Sequence, residues 1–467
     1  MPDNLYFRIH HVRPRFKNNV ENVLIFLSEE ITNISQSSCS DFRAKLNSAI
    51  RRFPGNINVA DKTINNWRTE ISALFGFYIE NKKTNTTVAS QRAIDLATNQ
   101  DLIQFFKIFL YFFQYPGGHI KPHEVKRCIE KRVKFKPAVK IIEVLMSLKE
   151  LSGKSEGISK AEATHVIFND LRVTSGIEEP IDTAKRLLSL RKRNTEYDWA
   201  GDVIRYAGDI LDYMSLANIL NYYNGYFYLN SLEQKTCNFF LNNTIWFDKY
   251  DTITLERESV LQELNEIQIE WFKYINQVVD DDFFITDILA LVADNEQQYQ
   301  NFQNSYDELL KKADTNNLRT KEIGDLGESL AYGHECKRIT DEGRPDLVHL
   351  IKLIPTALAA GYDLQSVEIN EKKRYIEVKT TISNKNIAFH RFHLTPNEWN
   401  SAKTLSDRYF VYRLYISKKD KKLYVLQNPE RLYKEDKIEM TINSHMGIEI
   451  VFKPEISGEY QELLTWS

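Results

Sequence analysis

The stretch Arg374-Tyr375-Ile376-Glu377-Val378-Lys379-Thr380-Thr381 says more about this 467-residue chain than any other segment. Its β-branched and apolar residues follow a polar turn, Asn370-Glu371-Lys372-Lys373, as a strand would. Residues two apart in a strand share a face, so Glu377 and Lys379 project together while Ile376 and Val378 turn into the core. A surface salt bridge would account for the pair equally well on an exposed strand. The apolar, β-branched setting weighs against that reading.

Working outward, Gly361-Tyr362-Asp363-Leu364-Gln365-Ser366 predicts a strand entered through a glycine. A hairpin between the two strands would bring Asp363 beside Glu377. Two carboxylates so placed make an oxygen-rich site suited to Mg²⁺, with Mn²⁺ an expected substitute; such an ion keeps several waters and binds phosphate oxygens. The metal would lower the pKa of a bound water and neutralise charge building on a phosphate, and Lys379 would polarise that water. Further back, Gly324-Asp325-Leu326-Gly327-Glu328-Ser329-Leu330-Ala331 predicts a helix start with Glu328 in its first turns, adding a carboxylate through a metal-bound water. Further on, Leu394-Thr395-Pro396-Asn397-Glu398-Trp399 predicts a second helix start, with Trp399 in the core, and 409–416 a buried strand. His390 and His393 read as ordinary exposed histidines, and the literal Pro345-Asp346 as a decoy among loop-like residues.

A lone Glu-x-Lys is a weak signal, but these four pieces in this order resemble the PD-(D/E)XK nuclease superfamily. Within it they are most similar to the branch named for the C-terminal domain of the plant NO VEIN protein. That branch carries a G-x-x-G-E helix start, a G-Y-D strand, an I-E-V-K-T-T strand and an L-T-x-x-E-W helix start, all found over about 320–420. The resemblance implies a central mixed sheet flanked by helices, Asp363, Glu377 and Lys379 as the catalytic core, and Glu328 as an accessory acid. Tyr362 stands where the superfamily's name has proline, a departure the branch tolerates.

The rest of the chain is read from patterns of charge and helix signals. Hydrophobic residues at 42%, charged residues at 27%, 24 Tyr and 26 Phe describe a folded globular protein of several domains. The net charge of −3 does not announce nucleic-acid binding; its uneven distribution is more informative. Cys39, Cys128, Cys237 and Cys336 lack zinc-ligand spacing and read as reduced thiols in a cytoplasmic protein. Residues 1–11 have no apolar leader, and the most apolar run, 102–115, is broken by Lys107 and too short for a bilayer.

Asp61, placed as an N-cap, opens a helix through Lys62, Asn65, Asn66 and Arg68, and a hairpin carrying Lys82 and Lys83 follows. Helix plus basic hairpin predicts a winged-helix-like unit whose helix meets the major groove. After Tyr115-Pro116-Gly117-Gly118 comes a basic stretch with Lys126, Arg127 and Lys131, suited to phosphate contact. Ser159-Lys160-Ala161-Glu162 has the look of a capping box. Arg191, Lys192 and Arg193 form a further basic cluster, and a helix is predicted over 207–223 before an Asn224-Gly225 turn and an aromatic strand. Over 251–314 acidic residues dominate a helical pattern through Leu261, Leu264, Ile267 and Trp271.

The expected organisation is therefore mainly α with winged-helix-like modules at 1–115 and 116–245, an acidic helical connector at 246–318, and an α/β PD-(D/E)XK nuclease domain at 319–467. The N-terminal part faintly resembles the recognition regions of type IIS and nicking restriction enzymes. The simplest function is a type II restriction endonuclease acting on double-stranded DNA, without ATP-driven translocation since no Walker A motif occurs. Alternatives are a modification-dependent endonuclease and a catalytically silent DNA-binding protein. One site cuts one strand, so double-strand cleavage calls for a homodimer or a transient dimer.

Overall fold

A computed structural model describes residues 5–464 apart from 11–15, 17–18, 35, 82, 280–283, 313–325, 356–357, 386, 388–389 and 444–446. Chain contacts divide it into two compact units, Met1–Ala97 with Leu102–Thr286, and Thr98–Asp101 with Asp287–Ser467. The boundary expected at 318–319 lies outside the described residues.

The first unit contains the same arrangement twice. Helix α1 (Val20–Asn33) leads to β1 (Ser37–Ser38), α2 (Cys39–Arg52), α3 (Asp61–Ala73) and the hairpin β2 (Tyr78–Asn81) and β3 (Thr86–Ala89), with strand order β1-β3-β2. After α4 (Leu102–Phe112), the pattern returns as α5 (Pro137–Ser152), β4 (Ile158–Ser159), α6 (Lys160–Glu162) running into a π-helical turn, and then α7 (Pro180–Lys192) and α8 (Gly201–Leu216). The hairpin β5 (Leu220–Tyr223) and β6 (Tyr226–Leu229) closes it, in the order β4-β6-β5. Asn224 and Gly225 both have positive φ, the conformation a two-residue hairpin turn needs. The Ser159–Glu162 capping box forms with both of its reciprocal bonds.

Two local expectations are corrected. Ala60, not Asp61, is the N-cap of α3; Asp61 is its first residue and pairs with Arg51 instead of capping. The helix predicted over 207–223 ends at Leu216, because Asn218 turns the backbone left-handed and Leu220 enters β5.

The apolar run 102–115 becomes the centre of the first core: Phe105, Phe106 and Phe109 of α4 pack against Phe75, Phe77 and Tyr213. Lys107, the charge that interrupts this run, is buried against Glu233 at 2.8 Å, and Glu233 also accepts from Thr236 and Asn218. Trp271, on α9 (Gln268–Ile275), is buried with Phe247 and Tyr274, so this part of the acidic segment packs within the first unit. All four cysteines are buried thiols outside any disulfide. Among the described residues no helix is long and apolar enough to cross a membrane.

The second unit is built on a six-stranded mixed sheet ordered β15-β12-β11-β9-β8-β7. These strands are β7 (Lys352–Leu353), β8 (Leu364–Val367), β9 (Lys373–Ile382), β11 (Tyr409–Ile416), β12 (Lys421–Gln427) and β15 (Glu459–Glu462). β9 and β11 are parallel, with Glu377 opposite Val411; the other pairings are antiparallel. A second sheet, β10-β14-β13, comprises β10 (Arg391–Leu394), β13 (Ile438–Asn443) and β14 (Gly447–Phe452).

Strand parity sorts the two faces. Even-numbered Arg374, Phe410 and Tyr412 face α10 (Leu326–Asp341), whose Glu335 accepts from Ser366 and Tyr412 at 2.6 Å each and pairs with Arg338 at 2.6 Å and Arg374 at 3.6 Å. Odd-numbered Tyr409 and Val411 join α11 (Pro396–Leu405) and the second sheet in a core with Trp399, Leu394, Ile450 and Phe452. The residues Thr98–Asp101 complete this unit, Gln100 accepting from buried Arg413 at 2.7 Å.

Glu335 fastens α10 to the sheet. Burial alone would raise its pKa, but Arg374 and Arg338 overcome this and hold it at about 2. A carboxyl depressed by folding stabilises the fold above its unfolded pKa and loses that contribution as pH falls. Glu335→Gln is expected to cost about 3 kcal/mol at neutral pH by leaving two arginines without their shared anion. Its urea midpoint should also fall less steeply than the wild type's between pH 5 and pH 2.

Candidate active site

The β8–β9 pairing sets the site. Leu364 pairs with Ile376 in an antiparallel register, placing Asp363, just before β8, opposite Glu377. The Asp363 amide donates to the Ile376 carbonyl at 2.9 Å, and its Oδ2 accepts the Val378 amide at 2.8 Å. Lys379 Nζ lies 2.7 Å from Glu377 Oε1 and 3.1 Å from Glu398 Oε2. The structure thus brings Asp363, Glu377 and Lys379 together and adds Glu398.

Electrostatics follow from depth. Glu377 is only 2% exposed, and burial pushes its pKa well above the usual carboxylate value; Lys379 opposes that shift, while Asp363 and Glu398 add to it. Burial works against the Lys379 ammonium, but Glu377 and then Glu398 more than compensate and raise its pKa. Tyr409, buried on the same face, has its phenol pKa raised by burial and by these carboxylates, and its hydroxyl donates to the Gly361 carbonyl at 3.0 Å.

Glu328 is placed differently. It lies in the first turn of α10 and is half-buried. The start of its motif, Gly324-Asp325, lies outside the described residues. Asp346 sits on an exposed 3-10 turn, held by Arg344 at 2.8 Å. His393 is on β10, opposite Glu449 of β14.

Asp363 and Glu377 fit a hard divalent cation: both offer carboxylate oxygens, and the buried Glu377 gains from added positive charge. Among the described residues no group of three or more His, Cys, Asp or Glu is arranged to hold a metal. A two-carboxylate set is still what Mg²⁺ uses when waters and substrate phosphates complete its shell.

In the first unit, Lys62 and Asn65 are exposed on α3, with Asn66 and Arg68 half-buried beside them and Arg68 donating to Asn47 at 2.8 Å. Lys83 is exposed at its hairpin turn, and Lys82 is outside the described residues. Lys131, Lys192 and Arg193 are exposed, Lys126 lies 3.9 Å from Glu130, and Arg127 pairs with Glu124 at 2.8 Å. Arg191 is engaged internally: Glu162 and Glu156 accept from it at 2.7 and 3.0 Å, and the Gly157 carbonyl accepts a further bond.

The family described as restriction endonuclease BpuJI, N terminal, matches residues 1–272, more than half of the 467 residues. This chain belongs to that family. The family described as protein NO VEIN, C-terminal, matches residues 327–426, a span holding Glu328, Asp363, Glu377, Lys379 and Glu398. A crystal structure of the BpuJ1 endonuclease binding domain in complex with pyrene- and phenanthrene-modified DNA is similar in fold, with a TM-score of 0.53 and 22% identity over 58% of this chain and 98% of that one. No curated protein matches.

Glu398 is the site residue whose role sequence reasoning missed. The Leu-Thr-x-x-Glu-Trp pattern marked it only as a helix start; its contact with Lys379 is made in the tertiary fold.

Gly361 makes the close approach possible. It has φ +74°, and a Cβ there would strike Ser401 Oγ and lie 3.0 Å from the Asn397 carbonyl of α11. Gly361→Ala is therefore expected to destabilise the protein by about 1–3 kcal/mol, read as a lowered thermal midpoint.

Proposed function

We propose that this chain is a site-specific, divalent-cation-dependent DNA endonuclease of the type II restriction kind, its first unit recognising double-stranded DNA and its second unit cutting it. The observation that carries the reading is the convergence of Asp363, Glu377 and Lys379 on one face of the β8–β9 pair. Membership in a restriction-endonuclease family over 1–272 supports the recognition half.

The β1-β3-β2 and β4-β6-β5 sheets, each a hairpin that follows helices and pairs with a short strand lying before them, support a winged-helix reading of the two repeats. On that reading α3 and α8 are the helices offered to a groove, and exposed Lys62, Asn65, Lys83, Lys131, Lys192 and Arg193 meet base edges or phosphates. The six-stranded mixed sheet with α10 on one face and α11 on the other supports the PD-(D/E)XK assignment.

Asp363 and Glu377 would hold Mg²⁺, which when bound supplies Lewis-acid polarisation of the phosphate and a more acidic water. Asp363 is fixed by the Val378 amide, so its carboxylate needs no reorganisation to serve as a ligand. Lys379 supplies a cation with three donors beside the carboxylates and would stabilise negative charge on the pentacoordinate phosphorus of the transition state.

Asp363→Ala, Glu377→Ala and Lys379→Ala are each expected to lower plasmid cleavage in Mg²⁺ on the order of 100-fold or more, with DNA affinity by gel shift unchanged. Cleavage retained by Glu377→Ala would place the active site elsewhere.

A further inference from the structure

Lys379 stands between two carboxylates from different elements, Glu377 on its own strand and Glu398 at the third position of α11. Glu398 Oε2 also accepts the Thr395 amide at 2.9 Å, and its own amide donates to Thr395 Oγ1 at 3.3 Å. A capping box asks only for an acceptor at this position, and glutamine serves as well as glutamate. The cap therefore does not explain the negative charge. With its side chain only 15% exposed, that charge is costly to desolvate unless it has a partner, and the partner here is Lys379.

On the nuclease reading, a divalent cation would draw on the same Glu377 carboxylate that faces Lys379. A cation arriving there competes with the ammonium and repels it. Without a second anionic acceptor in reach, the lysine would leave the site as the metal enters.

We infer that Glu398 is a positioning residue that retains the Lys379 ammonium beside the reacting phosphate when a divalent cation takes over Glu377. The inference rests on the nuclease reading of Asp363, Glu377 and Lys379. Glu398 acts through Lys379 and touches neither cation nor DNA.

The test compares wild type, E398Q, T395A, K379M and the E398Q/K379M double variant by Ca²⁺ calorimetry, Mg²⁺-dependent plasmid cleavage and thermal unfolding. E398Q keeps the cap and loses the charge, so its thermal midpoint should stay within about 2 °C of wild type. Its kcat should fall about 10- to 100-fold at saturating Mg²⁺ with KM for DNA unchanged, and its Ca²⁺ affinity about 10-fold. In the K379M background the same substitution should change Ca²⁺ affinity less than about 3-fold, because no ammonium remains to be held. T395A weakens the cap and leaves the ion pair, so it should lower the thermal midpoint while kcat and Ca²⁺ affinity stay at wild-type values.

Wild-type kcat and Ca²⁺ affinity in E398Q would overturn the inference. So would an undiminished loss in the K379M background, which would make Glu398 a direct attractor of the cation, or a T395A defect in kcat as large as that of E398Q. A wild-type protein that neither binds Ca²⁺ nor cuts plasmid would overturn the nuclease reading itself.

Discussion

The register between β8 and β9 is the constraint on which the second unit depends. Because side chains alternate, a slip of one residue would send Glu377 and Lys379 to the α10 face and bring Ile376 and Val378 to the α11 side. Three contacts oppose such a slip: the Asp363 amide on the Ile376 carbonyl, the Asp363 carboxylate on the Val378 amide, and the Tyr409 hydroxyl on the Gly361 carbonyl. Gly361 lets the chain press against α11 closely enough for the last of these to form. The carboxylate that would bind a metal is thus also a peg that fixes the hairpin.

Charge is divided between the two faces of one sheet with different consequences. On the α10 side, Glu335 is completely buried but surrounded by Arg338, Arg374, Ser366 and Tyr412, and its carboxyl is held at about 2. On the α11 side, Glu377 is nearly as deep, yet one lysine serves two acids there and its carboxyl is pushed up. The first group has the cations it needs and acts as a fastener. The second is short of positive charge, in keeping with the proposal that a cation binds there.

Much of this was legible in the sequence because it is local. The period-two pattern of 374–381 separated Glu377 and Lys379 from Ile376 and Val378, and the Asn-Gly turn and the Ser159–Glu162 box announced themselves through backbone chemistry. What escaped was long-range. Arg191 belonged to a run that looked free to meet phosphate, but Glu156 and Glu162, some thirty residues earlier, occupy it. Nothing in a charge count reveals which cations a fold has already neutralised. Apolar spacing carried the predicted helix at 207–223 through Leu220, whereas a single left-handed asparagine ended it. The parallel pairing of β9 with β11, and with it the approach of Glu398 to Lys379, depends on a crossover whose closure no local pattern records.

The outermost strands of the large sheet have a bearing on how copies of the chain can meet. β7 is two residues long, and β15 carries Glu459 and Glu462. Short or like-charged borders discourage another chain from adding on as a further ribbon. Any association of copies would accordingly avoid these two edges, leaving the hydrogen-bonded framework that holds Glu377 in its interior undisturbed.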